Sequence, residues 1–429
     1  MHKKILVTLR TYNDIDHISP LIFKYIKERK NPLILFNSSY DYLNDPRINF
    51  LSNSGDVEIL SRPDLIHEKY VVHLGSQANK NIFFKISSKI YYQILKRKSF
   101  FGKIVRKLFF NFSYEYDFLK EKKINCVFVE WGNPFNKGLN FEKIIIASRG
   151  IGIPIISLPH GLNIFLNSDL HQNSIMSLKK NGVLTDFSNW NFYDFIIVQT
   201  KFHKDHFVRF GVNSNKVKVW GSLRFSKIWQ SLNLDNHEKF ISNYDVKNKT
   251  KIVFMMPHWI YNVHKNETLS LISKILELKN IHLIIKDHTR EDTGLFPENK
   301  KSEFLRSDNV EFNSSSSSVS LISWSDITIN FGGSIGIEVL MQDKLLINPK
   351  YLTFNKTAFE SESKALNSES DNDVLDSIND FVLNKGLNNN REKNNLINKL
   401  VYASKDEYDV SDYYYKNIQN IIDPFAYEK

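Results

Sequence analysis

Three polar side chains that follow or lie near short apolar runs are of the types needed for acid–base chemistry. Glu130 comes directly after Ile124–Val129, and His160 follows Ile153–Leu158 in a Pro-His-Gly sequence. A carboxylate or an imidazole fixed at a strand end can take a proton from a hydroxyl group. Asp186, in a predicted loop, is the third candidate. We expect all three to be catalytic; the structural alternatives are a salt-bridged or capping carboxylate and a histidine bonded to nearby backbone.

Ser222 and Arg224 are candidates for binding an anion. They follow a strand pattern that begins at Val217 and ends at Gly221. A strand that ends on Gly-Ser, with an arginine two residues later, can offer backbone N–H groups and a guanidinium to a negatively charged ligand. We therefore expect both residues to contribute to ligand binding.

Lys286, His288 and Arg290 form a second predicted anion site. They alternate along the chain directly after the apolar run that ends at Ile285. If the extended conformation continues, a period of two places their side chains on one side of the strand. Three donors at one strand end predict a phosphate site, and a solvated charged loop is the structural alternative.

The clearest local pattern is a strand, a glycine turn and a helix within Ser325–Leu340. Gly332 and Gly333 would let backbone N–H groups approach a ligand closely, and Ser334 is a natural N-cap. The helix dipole favours an anion at that end. Glu338, one turn into the helix, could accept hydrogen bonds from ribose hydroxyls. The pattern predicts a nucleotide-binding turn, although it is not a Walker loop because Gly-Lys-Ser/Thr is absent.

These residues need elements that bring them together. Short apolar runs alternate with helical patterns along the chain, which predicts parallel strands with crossover helices. In open parallel sheets, ligands bind beyond the carboxyl ends of the strands. The predicted strands are Ile5–Leu9, Pro32–Phe36, Val57–Leu60, Ile124–Val129, Ile153–Leu158, Phe195–Val198, Val217–Trp220, Ile252–Met256, His282–Ile285, Ile327–Ile329 and Leu345–Ile347.

The chain has 429 residues, which is enough for two large domains. We expect an α/β protein with two Rossmann-like parallel-sheet domains and a cleft between them. The first, acceptor-side domain would span residues 1–230 and the second, nucleotide-binding domain residues 231–400. Residues 401–429 are expected to form a helical C-terminal tail.

Composition excludes several classes of protein. Hydrophobic residues make up 42% and charged residues 24% of the chain, which excludes a mostly disordered, collagen-like or disulfide-scaffold protein. No apolar stretch is long enough to span a membrane. The single cysteine, Cys126, and the short N-terminal apolar run favour the reducing cytoplasm. No zinc-binding spacing is present, and we expect neither an essential metal nor a cofactor.

The basic residues are concentrated in one segment. The net charge is +10, and the stretch from Lys85 to Lys107 contains eight Lys or Arg residues, no acidic residue and several aromatic ones. This composition fits either a long helix with solvated lysines or an amphipathic surface on an anionic membrane. The second alternative would make the protein peripheral at the inner face of the cytoplasmic membrane. No nucleic-acid motif accompanies the segment, so no nucleic-acid partner is expected.

Four segments, taken in order, resemble bacterial surface-polysaccharide glycosyltransferases of GT-B architecture. The nearest groups are the capsule and lipopolysaccharide Kdo transferases and the CDP-glycerol glycerophosphotransferases. The resemblance extends over roughly residues 120 to 350. The segments are Ile155–Gly161, Val217–Phe225, Ile284–Arg290 and Ile329–Glu338.

The resemblance implies that the second domain holds the nucleotide, with His288 and Ser334 at its phosphates and ribose. His160 would lie near the acceptor or the reacting centre. Asp287 and Thr289 stand where prolines are usual in these families, which leaves the class of donor open.

The function implied is transfer of a sugar from a nucleotide donor to a growing surface glycan on a lipid carrier. CMP-Kdo is the favoured donor, and a CDP-glycerol- or UDP-sugar-dependent transferase is the alternative. The basic residues after Ile285 would stabilise the leaving phosphate in place of a metal. Glu130 or His160 would deprotonate the acceptor in an inverting reaction, whereas Glu130 or Asp186 would be the nucleophile in a retaining one. A sugar-nucleotide epimerase of related fold and a non-catalytic binding subunit are further alternatives.

Overall fold

The computed structural model describes most of the chain. Two predicted site residues, His160 and Arg290, lie outside the described residues, as does the basic segment from Lys85 to Lys107. What is expected of them stays a prediction. The described residues are 4–10, 12–36, 41–61, 113–134, 142–159, 161, 167, 172–182, 186–237, 239–259, 262–288, 296–357, 359–360, 366–384, 390–405 and 408–423.

The first domain is built on a parallel sheet of seven strands in the order β3-β2-β1-β4-β5-β6-β7. The strands are buried, nearly continuous apolar runs, as expected for a sheet covered on both faces. The strand order reverses between β1 and β4, and such a switch point is where open α/β sheets form a ligand crevice. Strands β1 to β7 are Lys4–Leu9, Leu33–Phe36, Glu58–Ser61, Ile124–Glu130, Ile155–Leu158, Phe195–Val198 and Val217–Val219.

Helices connect these strands and cover the sheet. One of them shows how the sequence sets a boundary: Asp45 accepts a hydrogen bond from the Arg47 backbone N–H at the start of α2, and Pro46 occupies the first turn. Helices α1 to α7 are Tyr12–Lys27, Pro46–Asn53, Ser113–Glu121, Glu142–Gly150, Gln172–Asn181, Lys201–Arg209 and Lys227–Asp235. Short 3-10 helices lie at Tyr42–Asn44, Ser188–Phe192, Ser214–Lys216 and Leu223–Phe225.

The second domain contains a six-stranded sheet in the order β10-β9-β8-β11-β12-β13, with its switch point between β8 and β11. All of its strand pairs are parallel. Strands β8 to β13 are Thr250–Met255, Ile281–Lys286, Val310–Phe312, Ile327–Ile329, Leu345–Pro349 and Asn367–Ser368. Helices α8 to α13 are Lys265–Leu276, Glu298–Phe304, Ser318–Trp324, Ile335–Met341, Asp371–Asn384 and Asn390–Leu400, and a 3-10 helix lies at Lys350–Leu352.

The last helix, α14 at Val410–Ile422, packs on α1 of the first domain. Its Gln419 side chain donates a 3.1 Å hydrogen bond to the Tyr25 hydroxyl. Tyr414 donates a 2.8 Å hydrogen bond to the carbonyl of Gly221, just beyond β7. The C-terminal segment therefore returns from the second domain and covers the end of the first sheet.

The predicted α/β class with two parallel-sheet domains is confirmed. Two strands, Val310–Phe312 and Asn367–Ser368, were absent from the prediction because they are short and contain polar residues. Among the described residues, no helix has both the length and the apolar character needed to cross a bilayer.

Candidate active site

The switch point of the first sheet carries a buried pair of opposite charges. Arg10 follows β1 and Glu130 ends β4, so they lie at neighbouring strand ends, and their side chains form an ion pair. The Glu130 side chain is 3% exposed and that of Arg10 25%. Burial lowers the pKa of Arg10, against the effect of nearby Asp14. The arginine supplies a countercharge for a carboxylate held at the switch point of the sheet.

Arg10 was missed by the sequence analysis. Its backbone N–H donates a 2.7 Å hydrogen bond to Asp14 Oδ2 in the first turn of α1, which fixes the chain where it leaves β1. The rule that predicted Glu130, a polar residue at the end of an apolar run, also applies to Arg10. Its pairing with a residue 120 positions away could not be seen, because it depends on β1 and β4 being neighbours.

The loop after β5, which contains His160, is anchored on both domains through its described residues. Gln199, fully buried at the end of β6, donates a 2.8 Å hydrogen bond to the Gly161 carbonyl. Further along, the Asn167 side chain donates to the Phe354 carbonyl at 2.9 Å and accepts from the Lys356 N–H at 2.9 Å. The loop that would present His160 therefore contacts the second domain.

The glycine turn lies at the switch point of the second sheet, as its position after β11 requires. Its backbone N–H groups are used differently from the prediction. The Gly332 N–H donates to the Asn330 carbonyl at 3.0 Å, and the Gly333 N–H donates to Asn330 Oδ1 at 2.9 Å. Both amides are therefore satisfied within the turn and do not face a ligand.

Gly332 is nevertheless required by the turn. Its φ is +66°, and an added Cβ would lie 2.5 Å from the Thr357 hydroxyl. Thr357 follows Lys356, which bonds to Asn167, so the turn lies close to the chain that meets the loop after β5. The glycine turn therefore lies beside the segment of the second domain that bonds to Asn167 of the first.

Ser334 is the residue before α11, but it does not act as the predicted side-chain cap. Its backbone is already helical, with φ −56° and ψ −29°, and its hydroxyl makes no capping hydrogen bond. A capping serine needs an extended backbone to reach back to the helix N–H groups. The Ser334 hydroxyl is therefore not tied to the first turn of α11.

The predicted phosphate site after β9 is only partly formed. Lys286 is 5% exposed, and its ammonium donates to the carbonyls of Ser314 at 3.3 Å and Ser316 at 2.8 Å. Burial lowers the pKa of Lys286, with nearby Asp287 opposing this effect. The side chain holds the loop after β10, which corrects its predicted role as a phosphate ligand.

His288 meets a second histidine that the sequence analysis missed. His258 follows β8 at the switch point, is 2% exposed, and its ring lies edge-on to that of His288 with 5.0 Å between centroids. The two imidazoles come from neighbouring strands of the second sheet. The rule that polar residues after an apolar run are candidate site residues, which found His288 after β9, would also have found His258 after β8.

Arg224 is paired with carboxylates of the protein itself. Its Nε and Nη2 donate to Glu338 Oε1 at 2.9 and 2.6 Å, and its Nη1 lies 3.4 Å from Asp16 Oδ2. Glu338, predicted to bind ribose, is 1% exposed. The prediction for Arg224 is corrected: its anions are two carboxylates of the protein itself.

Ser222 is also used within the fold. It is fully buried, and its backbone N–H donates a 2.9 Å hydrogen bond to the Val401 carbonyl. The preceding Gly221 has φ +86°, and a Cβ there would lie 2.4 Å from the same carbonyl. The Gly-Ser sequence after β7 therefore accommodates the C-terminal segment, which corrects its predicted anion-binding role.

Asp186 lies at the opposite edge of the first sheet from Glu130. It is exposed, accepts a 2.7 Å hydrogen bond from the Ser188 N–H, and lies beside Gly211, which precedes β7. The hydrogen bonds from Ser188 lower its pKa. Its carboxylate binds the backbone at the start of a short 3-10 helix, near the amino ends of the strands, and the structure gives no support to its predicted catalytic role.

Metal and cofactor binding have no structural support in the described part of the chain. Within those residues, no group of three or more His, Cys, Asp and Glu side chains is placed to hold a metal ion. The expectation of metal-independent chemistry stays a prediction.

Comparison with known proteins identifies the fold. No family model and no curated protein matches the sequence. The Staphylococcus aureus MnaA–UDP structure matches with a TM-score of 0.57 at 13% identity, covering 98% of this chain and 97% of that chain. The UDP-GlcNAc 2-epimerase from Neisseria meningitidis bound to UDP-GlcNAc matches with 0.55 at 12% identity, covering 98% and 99%. A glycosyltransferase from Rickettsia africae matches with 0.54 at 14% identity, covering 98% of each chain.

These similarities extend over nearly the whole chain, and at such low identity they show the fold alone. The chain has the two Rossmann-like parallel-sheet domains that GT-B-like proteins share. Fold does not determine reaction, so the activity must be argued from the site.

Proposed function

We propose that the region between the two switch points binds a nucleotide sugar and that the protein is an enzyme acting on it. The observation that carries this proposal is the contact between the loop after β5 in the first domain and the segment beside the glycine turn in the second. Arg10 and Glu130 lie at the first switch point, and the loop after β5 is bonded through Asn167 to the chain beside the Gly332 turn. Ligands of open α/β sheets bind at such positions.

The nucleotide would be held by the second domain. Ser334, whose hydroxyl makes no cap, and His288 would contact phosphate or ribose, and Glu338 would accept from a ribose hydroxyl through its second oxygen. The sugar would then extend towards Glu130 and the loop bearing His160. This assignment agrees with the prediction that the second domain binds the nucleotide donor.

The reaction that we favour is epimerisation of a UDP-N-acetylhexosamine at C2. The base takes the C2 proton as the bond between C1 and the UDP oxygen breaks, which leaves a C1–C2 double bond and UDP. Re-addition of UDP at C1 and of a proton to the opposite face of C2 restores the overall formula. Such a reaction needs acid–base groups beside the sugar and no acceptor. Glu130, with Arg10 as its countercharge, and His160 would supply them. The proposal is supported by the fold shared with MnaA and with the Neisseria meningitidis epimerase.

The proposal is tested by incubating the protein with UDP-GlcNAc alone in D2O. The expected products are both C2 epimers, each carrying deuterium at C2. Proton NMR follows the reaction through the loss of the C2 proton signal. A thermal-shift comparison of UDP, CDP, CMP and GDP should give the largest rise in Tm with UDP, because a ligand that binds only the folded state stabilises it. A rise only with CMP and no isotope exchange would overturn the epimerase assignment.

Sugar transfer to an acceptor is the second candidate. It is supported by the fold shared with the Rickettsia africae glycosyltransferase and by the order of the four family-like segments. With a sugar donor, the bond between the anomeric carbon and the phosphate oxygen would break and the acceptor oxygen would bond to that carbon; with CDP-glycerol, the acceptor oxygen would bond to the glycerol phosphate as CMP leaves. In both, the acceptor proton would pass to Glu130 or His160. Donors to test are CMP-Kdo, CDP-glycerol and UDP-sugars. Release of nucleotide only when a lipid-linked glycan is present would favour transfer.

The proposed place of action is the cytoplasm, with peripheral membrane contact through Lys85–Lys107. Clustered lysines and arginines near a surface add about 1 kcal/mol each on anionic lipid. Wild-type protein should sediment with phosphatidylserine vesicles at low salt, and changing Lys96, Arg97 and Lys98 to Glu should release it. A wild type that stays in the supernatant would contradict the contact.

A further inference from the structure

A series of ion pairs between charged side chains connects the first domain to α11 of the second. Arg224 lies between Glu338 and Asp16, with two hydrogen bonds to the former and a 3.4 Å ion pair to the latter. Asp16, on α1, also pairs with Arg47, which pairs in turn with Asp45. The series of ion pairs includes three separate elements of the first domain and ends at Glu338 on α11, the helix that follows the glycine turn.

Glu338 is held in an unusual way. Both hydrogen bonds from Arg224 end on Oε1, and Oε2 is buried without a hydrogen-bond partner among the residues that the structure describes. Leaving a buried charged acceptor unmatched is costly. Glu338 lies four residues after Ser334, on the same face of α11. The unmatched oxygen therefore lies one turn below the proposed nucleotide site.

We propose that Arg224 is a positioning residue for the nucleotide site: it holds Glu338 ionised by Oε1, so that Oε2 accepts a hydroxyl of the bound nucleotide. Through Asp16 it also ties this acceptor to α1. The inference rests on the proposed function, because it assumes that a nucleotide binds at the turn. Arg224 would act through Glu338 and would not touch the ligand.

The ionised state of Glu338 depends on a small set of groups. Burial raises its pKa, Arg224 lowers it, Asp16 raises it and His237 lowers it. Arg47 acts one step further away, through Asp16. Without Arg224, the carboxylate would lose its only bonded countercharge among these described groups, and its pKa would rise further above the ordinary value. A protonated Glu338 is a poorer acceptor for a hydroxyl.

The consequence is a change in the pH dependence of binding. In the wild type, affinity for UDP-N-acetylglucosamine should change little between about pH 6 and about pH 8, because Arg224 stabilises the ionised form of Glu338. In Arg224→Gln, affinity should fall about 10- to 100-fold near pH 6 and recover as the pH rises, since raising the pH ionises Glu338. A purely structural role for Arg224 would weaken binding equally at every pH.

Three further variants make the test specific. Glu338→Gln should bind weakly at every pH, and the double variant Arg224→Gln with Glu338→Gln should match it, with no pH dependence. Arg224→Lys keeps the charge and should keep the flat profile. The measurements are repeated with His237→Gln and with His17→Gln, which remove the two histidines whose charge acts on Glu338 or on Asp16.

The outcomes separate this inference from the proposed function. If the wild type does not bind UDP-N-acetylglucosamine by calorimetry at any pH, the proposed function fails. If the wild type binds and Arg224→Gln has a flat pH profile, the positioning role is wrong while the function stands. A steep profile that also appears in the double variant would equally overturn it, because Glu338 could not be its source.

Discussion

The two switch points of this molecule use polar residues in opposite ways. In the first sheet, Arg10 and Glu130 pair with each other across neighbouring strands, side chain to side chain. In the second sheet, Asn330 closes the glycine turn and Lys286 bonds to the carbonyls of the next loop. The first edge presents charge to the cleft, whereas the second uses its polar groups to fix backbone.

This difference suggests a division of labour. A charged pair at a strand end can change proton affinity during a reaction, so the first edge is suited to catalysis. A backbone turn whose N–H groups are already satisfied cannot respond to the ligand, but it provides fixed geometry. Variants at Arg10 and Glu130 should therefore affect turnover, and variants in the glycine turn should affect binding and stability.

The largest effect is expected from Glu130→Gln. The amide keeps the shape of the side chain but cannot accept a proton, so kcat should fall about 10²- to 10⁴-fold. The Kd for nucleotide should change little, because the nucleotide is held by the other domain. Single-turnover kinetics and calorimetry give the two numbers.

Asp186→Asn is the matched control for Glu130→Gln. It makes the same chemical change at an exposed carboxylate on the opposite edge of the same sheet. Its kcat should equal that of the wild type. Equal losses in both variants would mean that the loss at Glu130 is not specific to the switch point.

Gly332→Ala tests the rigid turn of the second edge. Alanine at φ +66° is strained, and its Cβ would press on Thr357, so we expect a loss of about 3 kcal/mol in the free energy of unfolding. Nucleotide affinity should fall as the turn shifts. Urea denaturation and calorimetry measure both.

Gly333→Ala is the neighbouring control. Gly333 has no positive φ, and an added Cβ would meet nothing closer than 3.4 Å. This variant should be close to the wild type in stability. If the two glycines proved equally tolerant of alanine, the turn would not be the rigid element described here.

The sequence was sufficient for the alternation of strands and helices and for residues at strand ends. Long apolar runs such as Ile124–Glu130 are unambiguous because both faces of the strand are buried. The short strand Val310–Phe312 has Glu311 at its centre and gives no such pattern. Glu311 accepts a hydrogen bond from Ser242, a partner that no local pattern could indicate.

Pairings could not be predicted where they join distant parts of the chain. Arg224 and Glu338 are 114 residues apart, and each looked available for a ligand when considered alone. The structure shows that each satisfies the other. Candidate site residues of opposite charge on facing elements can therefore pair with each other instead of binding a ligand.

A buried histidine should make the second domain the more acid-sensitive one. His282 on β9 is fully buried, and burial, followed by nearby Lys249, lowers its pKa to about 4. The unfolded chain binds a proton near pH 6.5, so between these values the unfolded state holds more protons. Stability is therefore lost as the pH falls from about 6.5 to about 4, by about 3 kcal/mol.

The first domain contains a carboxylate that behaves differently. Burial would raise the pKa of Asp16, but Arg47 and Arg224 outweigh it and lower the value to about 2. The contribution of Asp16 to the free energy of unfolding is kept until the pH falls below the pKa of the residue in the unfolded chain, near 4. His282→Phe should flatten the loss of stability above about pH 4, and Asp16→Asn should not. Urea unfolding across this range distinguishes the two, and an unchanged slope in His282→Phe would rule out the histidine.

The smallest effect is expected at the contact that joins the two regions. Asn167→Ala removes one donor and one acceptor between the loop after β5 and the second domain. Each hydrogen bond contributes about 1 kcal/mol, so KM for the nucleotide sugar should rise about threefold to tenfold, with kcat lowered less. Asn191→Ala, which removes comparable bonds to Gly211 and Asn213 at the opposite edge of the sheet, is the control. If both variants changed KM equally, the effect of Asn167→Ala would not be specific to the contact between the loop after β5 and the second domain.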